Sequence, residues 1–317
     1  MRKYSLHFLM ESSFIIAGLI LLSALIAPWL GPYTLFMGTQ IMVCCILALS
    51  LDIIYGLGGL LSLAQGVFFG LGGYAAAIAI QNYNRTPIEA LLLAIVIGAT
   101  GALIIGSFAV RLGGPRFIVM TMIISLVIYF FAQSLRNITG GEDGIPLGRP
   151  VKLLFLGWQL STSKPLDRYY IACGLAAVVY AFCRYLRRSS LGWAVIMAKD
   201  NPVRAELLGY NVYRLRLIAF IIAGSIAAVS GYLSCITCRH VSSLMFHWVV
   251  SANPLLWCLF GGIGTLVGSL IGASTLYLVE EIISSWIVYS EIVIGAGLVL
   301  VIIFLPQGLI GLLRFRK

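Results

Sequence analysis

Charged side chains are scarce in this sequence. They make up 10% of its 317 residues, whereas 61% of the residues are hydrophobic and the mean hydropathy is +1.02. Soluble domains contain about 25% charged and about 45–50% apolar residues, so an ordinary soluble domain is excluded. The sequence predicts a protein that crosses a membrane several times.

The sequence also lacks the motifs of an enzyme or of a metal protein. No Gly-x-x-x-x-Gly-Lys phosphate-binding loop occurs, so any ATP that drives this protein must be bound by another polypeptide. The three histidines, His7, His240 and His247, are not spaced as metal ligands. The cysteines are scattered and predict no disulfide framework, and the pair Cys235 and Cys238 is interpreted as two small residues on one helix face. We therefore expect a protein that is not an enzyme, with no metal site and no cofactor of its own.

Ten long apolar runs follow one another along the chain. A helical crossing needs about 20 apolar residues, and backbone polar groups in lipid must be bonded within their own segment, which favours helices. We predict an all-α polytopic membrane protein, with one integral-membrane domain over 1–317 and spans at 12–30, 35–56, 59–80, 89–110, 117–135, 168–186, 216–236, 244–261, 263–283 and 289–312. A cleaved signal peptide is the alternative for the first run, but that run is long enough to span and no small-x-small cleavage site follows it.

The positive charges indicate an orientation. Ten spans place both termini on one side, and a cytoplasmic location puts 14 of the 21 lysines and arginines in cytoplasmic segments, as the positive-inside bias requires. This distribution also accounts for the net charge of +10 without a nucleic-acid partner. Two hydrophilic loops then face opposite compartments, an extracytoplasmic loop at about 136–167 and a cytoplasmic loop at about 187–215. Spans 2–5 and 7–10 have the parity of an inverted repeat, although they share no convincing sequence similarity.

The cytoplasmic loop contains MAKDNPVRAELLGYN at 197–211, which predicts a short capped helix. Asp200 or Asn201 offers a side-chain acceptor for the free N–H groups of a first turn. Pro202 suits the first helical position, and Gly209 suits a left-handed stop. The predicted helix is about seven residues, roughly 10 Å, long.

An apolar ridge gives this short helix a docking face. Val203 and Leu207 are four residues apart, and Leu208 lies alongside them. So short a helix is marginal in water even when it is well capped, so it needs a groove in which to pack. That groove belongs either to a partner or to the protein's own cytoplasmic face.

Four stretches carry a family resemblance: GLGGLLSLAQGVFFGLGGYAAA at 56–77, TGGEDGI at 139–145, SSLGWAVIMAKDNPVRAELLGYNVYRLRLIAFIIAGSIAAVSG at 189–231 and GGIGTLVGSLIGA at 261–273. In this order, and over nearly the whole chain, the sequence resembles the permease subunits of ATP-binding-cassette (ABC) importers for branched-chain amino acids. The resemblance implies a bacterial inner-membrane permease, surrounded by membrane lipid, that pairs with a homologous permease subunit. It also implies two ABC ATPase subunits, which bind ATP and Mg, and an extracytoplasmic solute-binding protein.

The same resemblance implies that the short helix is the coupling helix, which docks into a cleft of the ATPase. The residues that receive this role are Asn201, Pro202, Val203, Arg204, Glu206, Leu207, Leu208 and Gly209. On the opposite side, the extracytoplasmic loop carries two adjacent acids, and we expect Glu142 or Asp143 to help receive the binding protein.

Polar and aromatic residues in the second and third predicted spans are candidates for the translocation pathway. They lie near several glycines, and broken helices at membrane depth are tolerated mainly where they line protein or a water-filled cavity. An acid on an apolar helix is expected in the bundle interior or at a cavity, and the inner interface is the alternative for Asp52. The aromatic members line a path for an aliphatic side chain or simply pack against other helices. The candidates are Asp52, Tyr55, Ser62, Gln65, Phe68 and Phe69.

Glycines at spacings of four predict close helix contacts, because small residues let helix backbones approach. Gly66 and Gly70 form one such pair, and Gly264, Gly268 and Gly272 form a longer series. The contact lies either inside one subunit or at a subunit interface.

The resemblance implies branched-chain or other apolar amino acids as the substrate. Urea, short amides and other small organic solutes remain alternatives, and Asn253 stands where many relatives carry an acid. An ion-coupled secondary carrier is a further alternative, but such carriers place ionisable groups near the membrane midplane, where Asp52 is nearly alone.

Overall fold

The protein is built mainly from helices. A computed structural model describes residues 27–148, 152–155, 158–162, 164–286, 295, 308 and 309. The helices are α1 (Pro32–Leu51), which continues directly into a π-helical segment (Asp52–Leu57), α2 (Gln65–Gln81), α3 (Pro87–Ala109), α4 (Pro115–Ser134), the single turn α5 (Arg136–Thr139), α6 (Pro165–Arg188), α7 (Ser190–Asp200), α8 (Pro202–Leu207), α9 (Val212–Cys238), α10 (Trp248–Gly261) and α11 (Val267–Trp286). Two 3-10 turns cover Ala27–Trp29 and Ser243–Phe246.

Six helical stretches among the described residues are long and apolar enough to cross a membrane. They are Pro32–Leu57, Pro87–Ala109, Pro115–Ser134, Pro165–Arg188, Val212–Cys238 and Val267–Trp286. Each coincides with one of the predicted spans, so the prediction of a polytopic membrane protein is confirmed. The predicted spans 12–30 and 289–312 lie almost entirely outside the described residues.

Three predicted spans begin too early, and one of them, predicted at 263–283, becomes helical only at Val267. The span predicted at 59–80 becomes helical only at Gln65, because Gly59 has the left-handed φ of 71° that ends the π-helical segment. The span predicted at 244–261 becomes an α-helix only at Trp248, after the 3-10 turn. Both helices are therefore shorter than a full crossing of about 20 residues.

The all-α prediction also missed four short strands. β1 (Ile145–Pro146) pairs antiparallel with β4 (His240–Val241), and β2 (Lys152–Phe155) pairs antiparallel with β3 (Trp158–Ser161). Strands of two to four residues carry almost no periodic signal, and the β1–β4 pair joins segments far apart in the chain. Both ribbons lie outside the long apolar helices, so the membrane-spanning part described is helical.

Prolines start four of the long helices. Pro32, Pro87, Pro115 and Pro165 each occupy an N-terminal helical position, where the missing N–H costs no hydrogen bond and the fixed φ suits the helix. At α3 the Thr86 side chain also accepts a hydrogen bond from the backbone N–H of Glu89, at 3.4 Å. Local chemistry therefore sets where these spans begin.

The core of the molecule surrounds α9. This helix packs against α1, α2 and α3, and α1 packs in turn against α6 and α11. Helices α1 and α9 are largely buried, whereas α3 and α4 are mostly not buried and each carries several exposed apolar side chains. An apolar exposed face of this kind is suited to lipid.

Candidate functional site

The hydrophilic stretch 187–215 contains two helices, α7 and α8, and each begins at a side-chain cap. Ser189 accepts a hydrogen bond from the N–H of Gly192 at 3.2 Å and caps α7, a helix that the sequence-based prediction missed. Asn201 accepts a bond from the N–H of Arg204 at 3.0 Å and caps α8. Asp200 is the last residue of α7, so the structure selects Asn201 from the two predicted caps.

Backbone hydrogen bonds also define the C-terminus of α8. Gly209 has a φ of 86°, its N–H bonds to the carbonyl of Glu206 at 2.9 Å, and the N–H of Tyr210 bonds to the carbonyl of Ala205 at 3.1 Å. These two bonds form a Schellman motif. Asn211 then caps α9 by accepting from the N–H of Arg214 at 3.0 Å. The six residues of α8 are thus held between defined turns at both ends.

The exposure of α8 is one-sided. Ala205 is completely buried against Ala198 and Val212 of the neighbouring helices. In contrast, Leu207 is 83% exposed and Leu208 is 62% exposed, and Val203 is exposed on the same helix. The protein's own surface therefore covers the alanine side of α8 and leaves the predicted apolar ridge open.

Asp52 is buried and bonded to the turn between α10 and α11. Its side chain is fully inaccessible, Oδ1 accepts from the N–H of Gly264 at 2.6 Å, and Oδ2 accepts from the N–H of Leu266 at 3.0 Å. Both donors belong to residues with a positive φ, 74° at Gly264 and 52° at Leu266. Asp52 lies in the protein interior, which is one of the two locations expected from the sequence, and its carboxylate holds an irregular turn.

The chain between the π-helical segment and α2 is irregular, and side chains from other helices bond its backbone. The N–H of Leu63 donates to Thr121 Oγ1 of α4 at 3.1 Å, and the N–H of Gly66 donates to Ser251 Oγ of α10 at 2.7 Å. Ser62 lies within the break and accepts from the N–H of Ala64 at 3.2 Å. Side-chain hydrogen bonds from the protein therefore stabilise the irregular backbone of the break.

The remaining pathway candidates differ in their surroundings. Gln65 is fully buried, its Oε1 accepts from Ser50 Oγ at 3.2 Å, and its Nε2 has no partner among the described residues. Phe68 is fully buried and packs edge-on against Phe220, with ring centroids 5.4 Å apart. Phe69 is buried and Tyr55 is partly buried. The structure places Ser62 within the break, Gln65 at the start of α2 directly after it, and Phe68 in the hydrophobic core.

Four of the five predicted packing glycines lie in close helix contacts. A Cβ on Gly66 would lie 3.0 Å from the carbonyl oxygen of His247, and one on Gly70 would lie 2.5 Å from the ring of Phe246. Gly268 and Gly272 of α11 face α10, where a Cβ on Gly272 would collide with the backbone carbonyl of Trp257. These contacts lie inside one chain.

Gly264 does not belong to that helix face, so the predicted series of three is wrong at this position. The residue lies in the turn before α11, and its φ of 74° explains the glycine. Its spacing of four from Gly268 is therefore not helical.

The loop predicted as extracytoplasmic is fastened to the end of α9. Glu142 and Asp143 are exposed, with Glu142 Oε1 accepting from Gln133 Nε2 at 2.8 Å. His240 Nε2 lies 2.8 Å from the backbone oxygen of Asp143, and Arg239 donates to the carbonyl of Leu147 at 3.2 Å. Two exposed acids are thus presented on a loop with a defined backbone.

No group of three or more His, Cys, Asp or Glu side chains that could hold a metal ion is found within the part of the chain that the structure describes.

Comparison with known proteins gives a family model described as "Branched-chain amino acid transport system / permease component", which matches residues 33–302. The high-affinity branched-chain amino acid transport system permease protein LivM of Salmonella typhimurium is 28% identical over 295 residues, which is 87% of this chain and 69% of that protein. The corresponding LivH protein of the same organism is 25% identical, over 84% of this chain and 90% of that protein. The inner membrane ABC transporter permease protein YjfF of Escherichia coli K12 is 24% identical, over 82% of this chain and 80% of that protein.

Proposed function

The chain belongs to the permease family of branched-chain amino acid transport systems, and from this premise we propose that it is the membrane-spanning subunit of an ATP-driven importer for branched-chain or other apolar amino acids. It translocates the solute and does not itself hydrolyse ATP. Urea and short amides are less favoured as substrates, because LivM and LivH, two of the relatives described above, are named for branched-chain amino acids. The permease lies in the inner membrane of a bacterial cell with both termini in the cytoplasm, and two of its ten proposed membrane segments, α2 and α10, are shorter than a full crossing.

The proposed complex contains a homologous permease subunit, two ABC ATPase subunits that bind ATP and Mg, and an extracytoplasmic solute-binding protein. The observation that carries the ATPase assignment is the open apolar ridge of α8, in which Leu207 is 83% and Leu208 is 62% exposed. Fully burying one such side chain contributes about 1.5–3 kcal/mol, so a short helix with three of them favours a protein groove over water. The caps at Asn201 and Gly209 fix the direction in which the ridge points.

On the opposite side, the exposed carboxylates of Glu142 and Asp143 are positioned to meet a binding protein. Their loop is bonded to the end of α9, and the other end of α9 follows α8 directly in the chain. One helix therefore connects the proposed binding-protein site with the proposed ATPase site. The break near Ser62 and Gln65, beside α1 and α9, is the proposed pathway region of this subunit.

The function is tested with the Leu207→Asp, Leu208→Asp variant. The change removes the apolar contact and places two charges in the ATPase groove, so ATPase co-purification and leucine uptake should both fall at least about tenfold, since one buried leucine already contributes that much. Permease abundance should stay near the wild-type value, because both residues are exposed.

The matched control is Ala205→Asp on the same short helix. Ala205 is completely buried against its own chain, so this change should lower permease abundance instead. Wild-type uptake by the double aspartate variant would contradict the coupling role of α8. A wild-type complex that transports urea but not leucine would contradict the proposed substrate.

A further inference from the structure

Lys199 joins the polar helices to a membrane-spanning helix. It lies in the last turn of α7, two residues before the cap of α8, and its Nζ donates to the backbone carbonyl of Gly56 at 2.7 Å. Gly56 belongs to the π-helical segment that ends the span beginning at Pro32. This hydrogen bond connects two segments that are 143 residues apart in the sequence.

The acceptor lies where a helix end needs a donor. Carbonyl groups in the last turn of a helix lose their intrahelical partners, and a lysine at this end bonds them and also interacts favourably with the helix dipole. The stem of Lys199 crosses Gly59, where a Cβ would lie 2.7 Å from Lys199 Cγ. Gly59 thus has two reasons to be glycine: its φ of 71° and the space taken by this lysine.

Asp52, the first residue of the same π-helical segment, bonds that segment to a second element. The Asp52 carboxylate accepts from the backbone N–H groups of Gly264 and Leu266, in the turn that joins α10 to α11. A Cβ on Gly56 would lie 2.8 Å from Gly264 Cα, so the segment and the turn are in direct contact. A displacement of α7 therefore meets the π-helical segment first and the α10–α11 hairpin next.

A π-helical segment is suited to such a displacement. Segments of this kind are rare and occur frequently at functional sites. Here the segment lies directly before the break at 58–64, close to Ser62 and Gln65. Because the break begins only two residues after Gly56, a shift of the Gly56 carbonyl would also move the backbone of the break.

We propose that Lys199 is a positioning residue, whose hydrogen bond to Gly56 transmits movement of α8 to the π-helical segment and, through Asp52, to the α10–α11 turn. The inference rests on the proposed function and names the connection through which ATPase docking acts on the membrane helices. The bond determines how much transport accompanies each ATP hydrolysed, and it does not determine whether the ATPase binds.

The test uses the complete complex in proteoliposomes, with its binding protein, ATP and leucine. Lys199→Met keeps most of the stem and removes the ammonium group. Leucine transported per ATP hydrolysed should fall about tenfold, the scale of one lost charge-assisted hydrogen bond, with ATPase co-purification and basal hydrolysis unchanged. Lys199→Arg keeps a cationic donor and should recover most of the ratio.

The matched control is Arg188→Met, which removes an exposed cation at the end of α6 and should leave the ratio at its wild-type value. The proposal is overturned if Lys199→Met transports with the wild-type ratio, or if Lys199→Arg is as impaired as Lys199→Met. Reduced permease abundance in Lys199→Met alone would assign the lysine to assembly and also overturn the proposal. If no ATPase co-purifies with the wild-type permease, the proposed function itself is overturned.

Discussion

Single side chains hold the irregular stretches of this protein in place by bonding to backbone groups. Asn201 and Asn211 each cap a helix, Asp52 bonds two N–H groups of a distant turn, and Ser251 bonds the N–H of Gly66. Unbonded backbone groups are costly in the membrane interior. The polar residues inside these apolar helices therefore have a structural reason to be there, and Asp52 is the clearest case.

Asp52→Asn is expected to destabilise the permease. The carboxylate accepts two buried hydrogen bonds, whereas an amide has a single acceptor oxygen and would turn an NH₂ group toward an N–H donor. Hydrogen bonds to a charged group contribute about 1.5–3 kcal/mol each, so the melting temperature in detergent should drop by several degrees.

The control for this change is Asp143→Asn, because the Asp143 contact to His240 uses the backbone oxygen and not the side chain. Its melting temperature should match the wild type. A wild-type melting temperature for Asp52→Asn would show that the turn between α10 and α11 does not depend on the charge.

Helices pack most closely where glycine removes the side chain. α2 meets the 3-10 turn at Gly70, α10 meets α11 at Gly261 and Gly272, and in each case an added Cβ would lie 2.5 Å or less from a neighbouring atom. Backbone neighbours cannot rotate away as a side chain can. The α10–α11 hairpin therefore leaves no room for a larger residue at Gly261 or Gly272.

Gly272→Leu should disrupt this hairpin. A Cβ here collides with the carbonyl of Trp257, and overpacking of a filled contact costs about 1–3 kcal/mol or more. We expect lower permease yield and a lower melting temperature in detergent.

Gly174→Leu is the matched control. Gly174 also lies inside a long helix, α6, but a Cβ added there would have no neighbouring atom within 4 Å. This variant should express at the wild-type level. Equal behaviour of the two variants would remove the argument for close approach of α10 and α11.

At the scale of the whole molecule, α9 connects the two hydrophilic regions. It begins next to α8, crosses the core beside α1, α2 and α3, and ends at the ribbon formed by β1 and β4. The two regions must lie on opposite faces of the membrane if this helix crosses it once. An importer requires this arrangement, because the ATPase binds on the cytoplasmic side and the solute-binding protein delivers solute on the other side.

Single cysteines in a Cys238→Ser background test this orientation. Asp143→Cys should react with a membrane-impermeant thiol reagent in intact cells, because Asp143 is exposed on the proposed extracytoplasmic loop. Arg188→Cys should react only after permeabilisation, because Arg188 is exposed in the proposed cytoplasmic loop and lies outside the α8 ridge. Gly144 is unsuitable for the label, since its φ is 69° and a Cβ would collide with the carbonyl of Val241.

The reverse labelling pattern would place both termini outside the cytoplasm. Labelling of both cysteines in intact cells would contradict a single crossing by α9. The exposed Cys238 is removed because it lies at the end of the same helix.

The sequence by itself determined those features whose physical cause lies within a few residues or within one apolar run. Hydropathy located the long helices, and Asn201, Pro202 and Gly209 marked the start and stop of α8, because a cap bonds a backbone group only three residues away. The family was also readable from contiguous stretches of sequence. Helix α7 was missed, although Ser189 was a usable capping signal.

Tertiary structure alone decided the features that join distant segments. Asp52 meets a turn more than 200 residues later, Lys199 meets Gly56 across 143 residues, and Ile145 pairs with Val241. Gly264 matched a helical spacing by chance, and only its backbone dihedral showed that it belongs to a turn. Such contacts depend on how the helices pack around α9, and no short window of sequence contains that information.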